Sequence, residues 1–345
     1  MQFLRQPRPL PPDSPGPLPA GLRWTGVLRW AGVLRWAGVV LMACLLPASG
    51  WNSAVGRADE APRFSGAAAM AHLETVAGLG PRPSGSAVME RQRALLEAHF
   101  KAAGARVTRQ RFEIRDRRSG KPVPMENLIV EWHPERLTRV LLAAHYDTRP
   151  FPDRDPTNPK GVFVGANDGA SGVAVLMELA QAMPSIGGNI GVDFVLFDGE
   201  EYVFAPRDPY CLGSHFFARQ YADRQQPGGQ RHSYRCGVVL DMVGDRNLEI
   251  CQEFHSVSWP DTRPVVDELW AVAARMQVRQ FVPRPKYTVE DDHVPLRMIA
   301  KIPTCDVIDF DYPQWHTMQD TPANCSAESL EAVGSVMLQW LREQK

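Results

Sequence analysis

The chain has 345 residues, of which 44% are hydrophobic and 22% are charged. This composition is ordinary for a globular protein and allows one large core. The formal net charge is −1 and the basic runs are short, so the sequence predicts no nucleic-acid partner.

The first 58 residues differ in composition from the rest of the chain. Residues 1–21 are rich in proline and arginine, and the repeat "LRWTGVLRWAGVLRWAGV" then leads into the apolar run "VLMACLLPASG". Basic residues, an apolar run and small residues in that order are typical of a secretory signal. The run is shorter than the ~20 residues that a membrane-spanning helix needs, which favours a signal over a permanent anchor.

We therefore expect an exported protein, periplasmic or secreted, that contacts the membrane only through this N-terminal segment. The stretch "LMAC" also resembles a lipoprotein cleavage box with Cys44 as the acylated residue, so free and tethered forms both stay open. A buried core helix is the alternative interpretation of the run. The sequence does not indicate an oligomeric state.

Five cysteines follow this leader: Cys211, Cys236, Cys251, Cys305 and Cys325. None belongs to a C-x-x-C pair, so the sequence does not predict a zinc site built from thiolates. An exported protein can oxidise some of these thiols, but their spacing alone gives no pairing.

From about residue 60 to residue 345, patterns typical of helices and strands alternate. Helical spacing covers 65–79, 87–105, 172–183, 262–276 and 326–344, the last with Ser326 as a candidate N-cap. Strand patterns cover 106–114, 127–132, 139–147, 192–201, 236–245 and 302–310, and several are continuous apolar runs typical of buried strands. We predict a single α/β domain over 60–345, with a central, mostly parallel mixed sheet flanked by helices.

Acids and one histidine follow three of the apolar strands. "HYD" contributes His145 and Asp147, "DGEE" contributes Glu200 and Glu201, and "LDMVGD" contributes Asp241. Open α/β sheets bind ligands at the carboxyl ends of their strands, so we expect these side chains at one edge of the sheet. Adjacent carboxylates repel in a low-dielectric environment, which predicts a positive charge among them.

Two further segments complete the candidate ligand set. Asp168 lies in "GANDGASG", before a predicted helix whose backbone amides can hold its charge, and His316 lies in "QWHTMQDT". Imidazole and carboxylate without cysteine form a donor set that suits catalytic zinc. One glutamate of the pair then binds metal while its neighbour acts as a base. Asp147 is expected to orient His145 by accepting its other ring N–H.

Each of these signals has a common structural explanation when taken alone. An H-x-D occurs by chance, an E-E pair usually lies on a solvated surface, and Asp168 could serve only as an N-cap. The prediction of a metal site therefore depends on the whole set, taken in chain order at the ends of buried strands.

In that order the motifs resemble the zinc exopeptidases of the aminopeptidase type, and in particular the animal-type glutaminyl-peptide cyclotransferases. The resemblance covers about residues 65–343, through "HYDTR", "VFVGANDGASGVAVLMELA", "VLFDGEE", "GVVLDMVGD", "EDDHVPL" and "WHTMQDTPANCSAESL". It implies the phosphorylase/hydrolase-like fold of the zinc exopeptidases and, as substrates, the N-termini of peptides or proteins.

The resemblance implies two alternative chemistries. In the aminopeptidase branch two zinc ions share a bridging carboxylate, here Asp168. His145 and Asp241 complete one ion's site, and Glu201 and His316 complete the other. The first glutamate of the pair is then the general base that takes a proton from the bridging water.

The cyclase branch uses one zinc ion, held by the same bridging carboxylate, Glu201 and His316. The ion polarises the side-chain amide carbonyl of an N-terminal glutamine. Glu200 takes a proton from the attacking α-amine and passes it to the departing ammonia. Asp291 helps to stabilise the transient species, and Trp315 lines the substrate pocket.

Several segments separate the two branches. The long segment "YVFAPRDPYC" after the E-E pair, "EDDHVPL" and Trp315 favour the cyclase. Against it, "GANDGASGVAVL" resembles an aminopeptidase, and Pro206 and Glu290 stand where cyclases have tryptophan and glutamine. The disulfide positions of animal cyclases match Ala144 and Val173, so that bridge is absent. We interpret the chain as a cyclase, with a di-zinc aminopeptidase as the alternative.

Two other classes of protein fit less well. A serine hydrolase needs a G-x-S-x-G nucleophile elbow, and neither "GASGV" nor "PSGSA" has that pattern. A non-catalytic peptide-binding relative would show gaps in the ligand set, whereas this chain retains every ligand and the adjacent base.

Overall fold

The computed structural model describes residues 62–225 and 232–344. The leader, with its predicted signal or anchor and Cys44, lies outside these ranges. Within them, no helix combines the length and the apolarity that crossing a bilayer requires. The five cysteines that follow the leader are all buried, and all are free thiols.

Helices and strands alternate along the described chain. The helices are α1 Gly66–Ala77, α2 Ala87–Ala102, α3 Ala170–Leu179, α4 Leu212–Arg224, α5 Phe254–Ser258, α6 Arg263–Arg275, α7 His293–Met298 and α8 Ala327–Glu343. The strands are β1 Arg106–Arg115, β2 Pro122–Trp132, β3 Thr138–His145, β4 Gly191–Phe197, β5 Ser233–Asp241, β6 Ile250–Gln252, β7 Phe281–Pro285 and β8 Thr304–Ile308.

Six strands form the central sheet in the order β1-β2-β4-β3-β5-β8. β3 pairs in parallel with β4 and β5, and β5 pairs in parallel with β8. β2 pairs antiparallel with both β1 and β4. The predicted α/β fold with a mostly parallel mixed sheet is confirmed. Strands β6 and β7 form a separate parallel pair.

Local sequence explains where several helices begin and end. The hydroxyls of Ser65, Ser86 and Ser326 each accept a backbone N–H from the first turn of α1, α2 and α8, respectively. Each satisfies one of the N–H groups that a helix start leaves unpaired. α2 ends before Gly104, whose φ of 85° is a conformation that glycine adopts without strain.

Helices cover both faces of the sheet, because successive side chains of β3 pack against different helices. Leu142 packs into a hydrophobic cluster with residues of α1, α2, α3, α6 and α8. The preceding residue, Leu141, packs into a second cluster with residues of α4 and α7. A parallel strand between two helical layers is apolar on both sides, which accounts for the continuous run "RVLLAA".

Helix α3 lies directly against the sheet, and Gly172 makes this approach possible. A β-carbon at Gly172 would lie 2.2 Å from the carbonyl oxygen of Leu240 and 2.9 Å from Cβ of Ala144. Both neighbouring residues are fully buried, so neither can move aside without disturbing the core. The contact fixes the start of α3, and with it Asp168, at the ends of β3 and β5.

Gly172→Ala should therefore lower the free energy of unfolding by about 1–3 kcal/mol, because the added methyl group overpacks the core. Urea denaturation measures the change. Gly187→Ala is the matched control, since a β-carbon there would meet no heavy atom within 4 Å. It should change the stability by less than about 1 kcal/mol in either direction. Equal losses in the two variants would contradict the packing argument.

Candidate metal centre

The predicted ligands meet at the carboxyl edge of the central sheet. Strand β3 ends at His145, β4 ends at Phe197 just before the E-E pair, and β5 ends at Asp241. These three parallel strands are neighbours, so their ends deliver side chains to one place. Asp168 enters just before α3, and His316 enters from the loop between β8 and α8.

Asp168 lies between two groups of candidate ligands. Its Oδ1 is 3.3 Å from Nε2 of His145, and that nitrogen is 3.2 Å from Oδ1 of Asp241. Its Oδ2 is 3.5 Å from Nε2 of His316, and that nitrogen is 3.4 Å from Oε1 of Glu201. Two trios thus share Asp168: one with His145 and Asp241, the other with Glu201 and His316. In each trio the ligand atoms lie within 4.8 Å of one another, close enough to share an ion.

The two trios differ in how their buried polar atoms are satisfied. Nε2 of His145 and Oδ1 of Asp241 are hydrogen-bonded to each other at 3.2 Å. In the other trio, Oδ2 of Asp168, Oε2 of Glu201 and Nε2 of His316 are buried without a hydrogen-bond partner among the described residues. Buried polar atoms without partners are costly. Two carboxylates and an imidazole left in this way fit a zinc ion.

The paired glutamates have opposite pKa shifts. Burial raises the pKa of Glu200 well above its ordinary value, and the charge of Glu201 adds to the effect. Burial also acts to raise the pKa of Glu201, but His316 and Arg149 outweigh it and lower that pKa to about 2. The environment therefore keeps Glu201 charged, as a ligand requires, and gives Glu200 the affinity for a proton that a base requires.

Asp147 holds the turn that carries both glutamates. Its two carboxylate oxygens accept the backbone N–H groups of Glu200 and Glu201, each at 3.1 Å. Oδ1 of Asp147 is 3.7 Å from Nδ1 of His145, which is longer than a hydrogen bond. The expected contact to the histidine is thus a close approach, while the contact to the glutamates was not expected from the sequence.

Glu200 shares a buried space with Asp291 and Cys211. One polar atom of each lies within 4.8 Å of the other two. Burial, together with the charge of Asp241, raises the pKa of Asp291 to about 6. The next residue, Asp292, directly precedes α7, and its side chain makes no capping hydrogen bond. Helix capping therefore does not account for this acidic pair, and Asp291 is placed where it can interact with Glu200.

Trp315 is half-buried beside the trio of Asp168, Glu201 and His316. Its ring centroid lies 4.3 Å from that of His316 and 4.7 Å from that of Phe310. Cζ of Arg154 lies 3.8 Å from the same ring. The indole therefore presents a fixed apolar surface next to a candidate ligand, where a pocket wall would be needed.

The loop after β3 adds two residues that the sequence analysis did not identify. Arg149 donates from Nη1 to Oε1 of Glu201 at 2.9 Å and from Nε to Oδ1 of Asp153 at 2.7 Å. The same Oδ1 lies 3.2 Å from Nδ1 of His316. An arginine–carboxylate pair thus links two candidate ligands. The motif "HYDTR" contains Arg149, but nothing local indicates its partner.

A third missed residue, Asp320, fixes the backbone at Asp168. Its carboxylate oxygens accept the backbone N–H groups of Asn167 at 2.7 Å and Asp168 at 3.1 Å. They also accept the hydroxyl of Tyr312 at 3.0 Å. Asp320 is fully buried, so this arrangement holds Asp168 from outside the ligand set.

Residues 127–341 match the model of peptidase family M28, and the chain belongs to this family. The glutaminyl cyclase of Fimbriiglobus ruber is 37% identical, with a TM-score of 0.79, over 83% of this chain and 97% of that chain. A Zn-dependent exopeptidase of Parabacteroides distasonis is 29% identical, with a TM-score of 0.75, over 83% of this chain and 100% of that chain.

Curated relatives at lower identity are also glutaminyl-peptide cyclotransferases. The glutaminyl-peptide cyclotransferase of Gloydius blomhoffii is 26% identical over 239 residues, or 61% of this chain. The chain spans 63% of the length of that relative. The resemblance to zinc exopeptidases, and among them to glutaminyl cyclases, is confirmed.

Replacing Asp320 by Ala should weaken zinc binding by about 10- to 100-fold, because Asp168 loses its backbone support. Competition with a chromophoric chelator measures the affinity without any need for activity. Asp309→Ala is the matched control: Asp309 is also buried and accepts two backbone N–H groups, from Glu249 and Asp311. A similar loss of zinc affinity in the control would show that the effect is not specific to Asp168.

Proposed function

We propose that this chain is a zinc-dependent glutaminyl-peptide cyclotransferase, which converts the N-terminal glutamine of peptides or proteins to pyroglutamate and releases ammonia. The observation that carries the proposal is the contrast between the two trios. Of the two trios that share Asp168, only the trio of Asp168, Glu201 and His316 leaves each member with a buried polar atom that has no hydrogen-bond partner among the described residues. One ion is what a cyclase requires, whereas the aminopeptidase branch uses both trios.

The trio of Asp168, Glu201 and His316 would hold the ion. When bound there, zinc supplies a Lewis acid that polarises the side-chain amide carbonyl of the substrate glutamine. The protein's own part is to fix these ligands, through Asp320 at Asp168 and through Arg149 at Glu201. It also places Glu200 beside them as a carboxylate that is free of the ligand set.

Glu200 carries the proton that the reaction has to move. The α-amine nitrogen attacks the side-chain amide carbon, so that a ring C–N bond forms and the bond to the amide nitrogen breaks. Glu200 accepts the proton that the attacking nitrogen loses and returns it to the leaving nitrogen, which departs as ammonia. A carboxyl group whose pKa is raised by burial is a stronger base than an ordinary carboxylate, as the first transfer requires.

Trp315 and Asp291 complete the proposed pocket. The glutamine side chain has to curl back on its own amine, and the apolar face of Trp315 favours that compact conformation over one extended into water. Asp291 shares the buried space of Glu200 and can stabilise the polar groups that form and disappear during the transfer.

The di-zinc aminopeptidase is a second candidate, because Asp168 faces both trios. Its two oxygens point to different histidines, at 3.3 Å and 3.5 Å, as a bridging carboxylate would. In that case Glu200 would take its proton from a water molecule, and the first residue would leave as a free amino acid.

Analysis of the products by mass spectrometry separates the two reactions. A peptide that begins with Gln should lose ammonia and keep its full number of residues. The same peptide beginning with Leu or Ala should remain unchanged, since neither side chain carries an amide to attack. Release of free leucine or alanine would overturn the cyclase proposal in favour of the aminopeptidase.

Substitution of each glutamate in turn tests the assignment of their roles. Glu200→Gln should lower kcat by at least about a hundredfold, because it removes the proton carrier, and should leave zinc bound. Glu201→Gln should lose zinc, because it removes a charged ligand. Zinc content after dialysis, measured beside kcat, distinguishes the two effects. Loss of zinc from the first variant but not the second would mean that the assignment is reversed.

A further inference from the structure

Arg154 is a positive charge beside the metal centre that the proposed reaction does not use. The residue is exposed, and its guanidinium makes neither an ion pair nor a hydrogen bond within the described chain. Partial burial lowers the pKa of Arg154, which indicates a cation that is less well solvated than one in free solution. Such a group gains from an anionic partner.

The position of Arg154 is fixed by several contacts. Its backbone N–H donates to the carbonyl oxygen of His316 at 3.1 Å. The next residue, Asp155, accepts the backbone N–H of Met318 at 2.9 Å. The guanidinium lies over Trp315, 3.8 Å from the ring centroid. The side chain is therefore ordered in advance, and a ligand that pairs with it has less entropy to lose.

The charge of Asp153 acts on Arg154 through space, but the nearby acids form no ion pair with its guanidinium, since each has other partners. Asp153 is bound by Arg149, which donates to both of its carboxylate oxygens. Asp311, beyond Trp315 and Phe310, is bound by Lys286 and the hydroxyl of Tyr287. Among the residues around Trp315, the guanidinium of Arg154 is thus available to an outside anion.

This inference rests on the proposed function, which places the substrate glutamine against Trp315. Arg154 contacts the same indole, so it lies next to the position proposed for the glutamine. We propose that Arg154 forms a carboxylate-binding subsite for the second residue of the peptide, so that the preferred substrates begin with Gln-Glu or Gln-Asp. The planar guanidinium can pair with a carboxylate through two parallel N–H donors while one of its faces stays on the indole.

The experiment compares kcat/KM for two peptides that differ only in the second residue, Gln-Glu and Gln-Gln. These side chains have nearly the same shape and differ in charge. The wild type should prefer Gln-Glu by about 1.5-fold to fivefold at low salt, as expected for an exposed but ordered ion pair. Arg154→Gln should bring the ratio to about one, and Arg154→Glu should reverse it. The wild-type preference should shrink as salt is added.

Arg284→Gln is the matched control. Arg284 is also exposed, and it pairs with Glu249 on the β7 side of the molecule, so the variant loses the same charge elsewhere. It should keep the wild-type ratio. If Arg154 only supports Trp315, Arg154→Gln will slow both peptides equally and leave the ratio unchanged. That result, or a wild type without preference, would overturn the proposal.

A binding measurement keeps this test separate from that of the reaction. In a Glu200→Gln background, which is expected to bind peptide without turning it over, calorimetry gives the Kd of both peptides. A Kd ratio that depends on Arg154 supports the subsite even if the wild type proves to release the first residue instead of ammonia. If the Kd ratio of the two peptides is the same with and without Arg154, the subsite is contradicted, even where cyclisation is observed.

Discussion

Buried carboxylates at the carboxyl edge of the sheet are the constraint on which the site depends. Asp147, Asp168, Glu200, Glu201 and Asp291 are all less than one-tenth exposed. Like charges repel strongly in a low-dielectric interior, so such a group persists only with compensating donors and cations. Backbone amides satisfy Asp147, which accepts two of them, in the conformation that the turn already has.

The remaining carboxylates divide according to their neighbours. Glu201 has a guanidinium on one side and an imidazole on the other, and its low pKa follows from both. At Glu200, burial and the charge of Glu201 outweigh the effect of His145, and its pKa rises. Two adjacent residues of one type thus acquire different properties from tertiary contacts alone. In the proposed mechanism, this difference lets a single E-E pair provide both a ligand and a proton carrier.

The sequence predicted the centre of the fold better than its periphery. Strands β3, β4 and β5 are continuous apolar runs, and their burial on both faces makes that pattern unambiguous. Helix α4 was missed because its sequence, "LGSHFFARQYADR", mixes polar and apolar residues. The residue before it, Cys211, has a φ of 57° and provides no side-chain cap. The antiparallel pairing of β1 and β2 within the sheet could not be predicted from local sequence either, because it depends on which strand β2 pairs with.

The site shows the same division. The candidate ligands could be found because each stands in a short motif at the end of a strand or at the start of a helix. Arg149, Asp153 and Asp320 could not, because their partners lie far away in the sequence: Arg149 is 52 residues from Glu201, and Asp320 is 152 from Asp168. Only the folded chain brings such pairs together, and ordinary loop composition gives no sign of them.

The adjacency of Trp315 and His316 has a consequence for how this scaffold can diversify. His316 has a φ of 56°, which is unusual for a residue with a β-carbon, so the peptide between the two side chains has little freedom to adjust. A mutation that reshapes the indole wall will therefore disturb the imidazole as well. Substitutions in neighbouring surface loops can change specificity more easily, because they leave the candidate ligands in place.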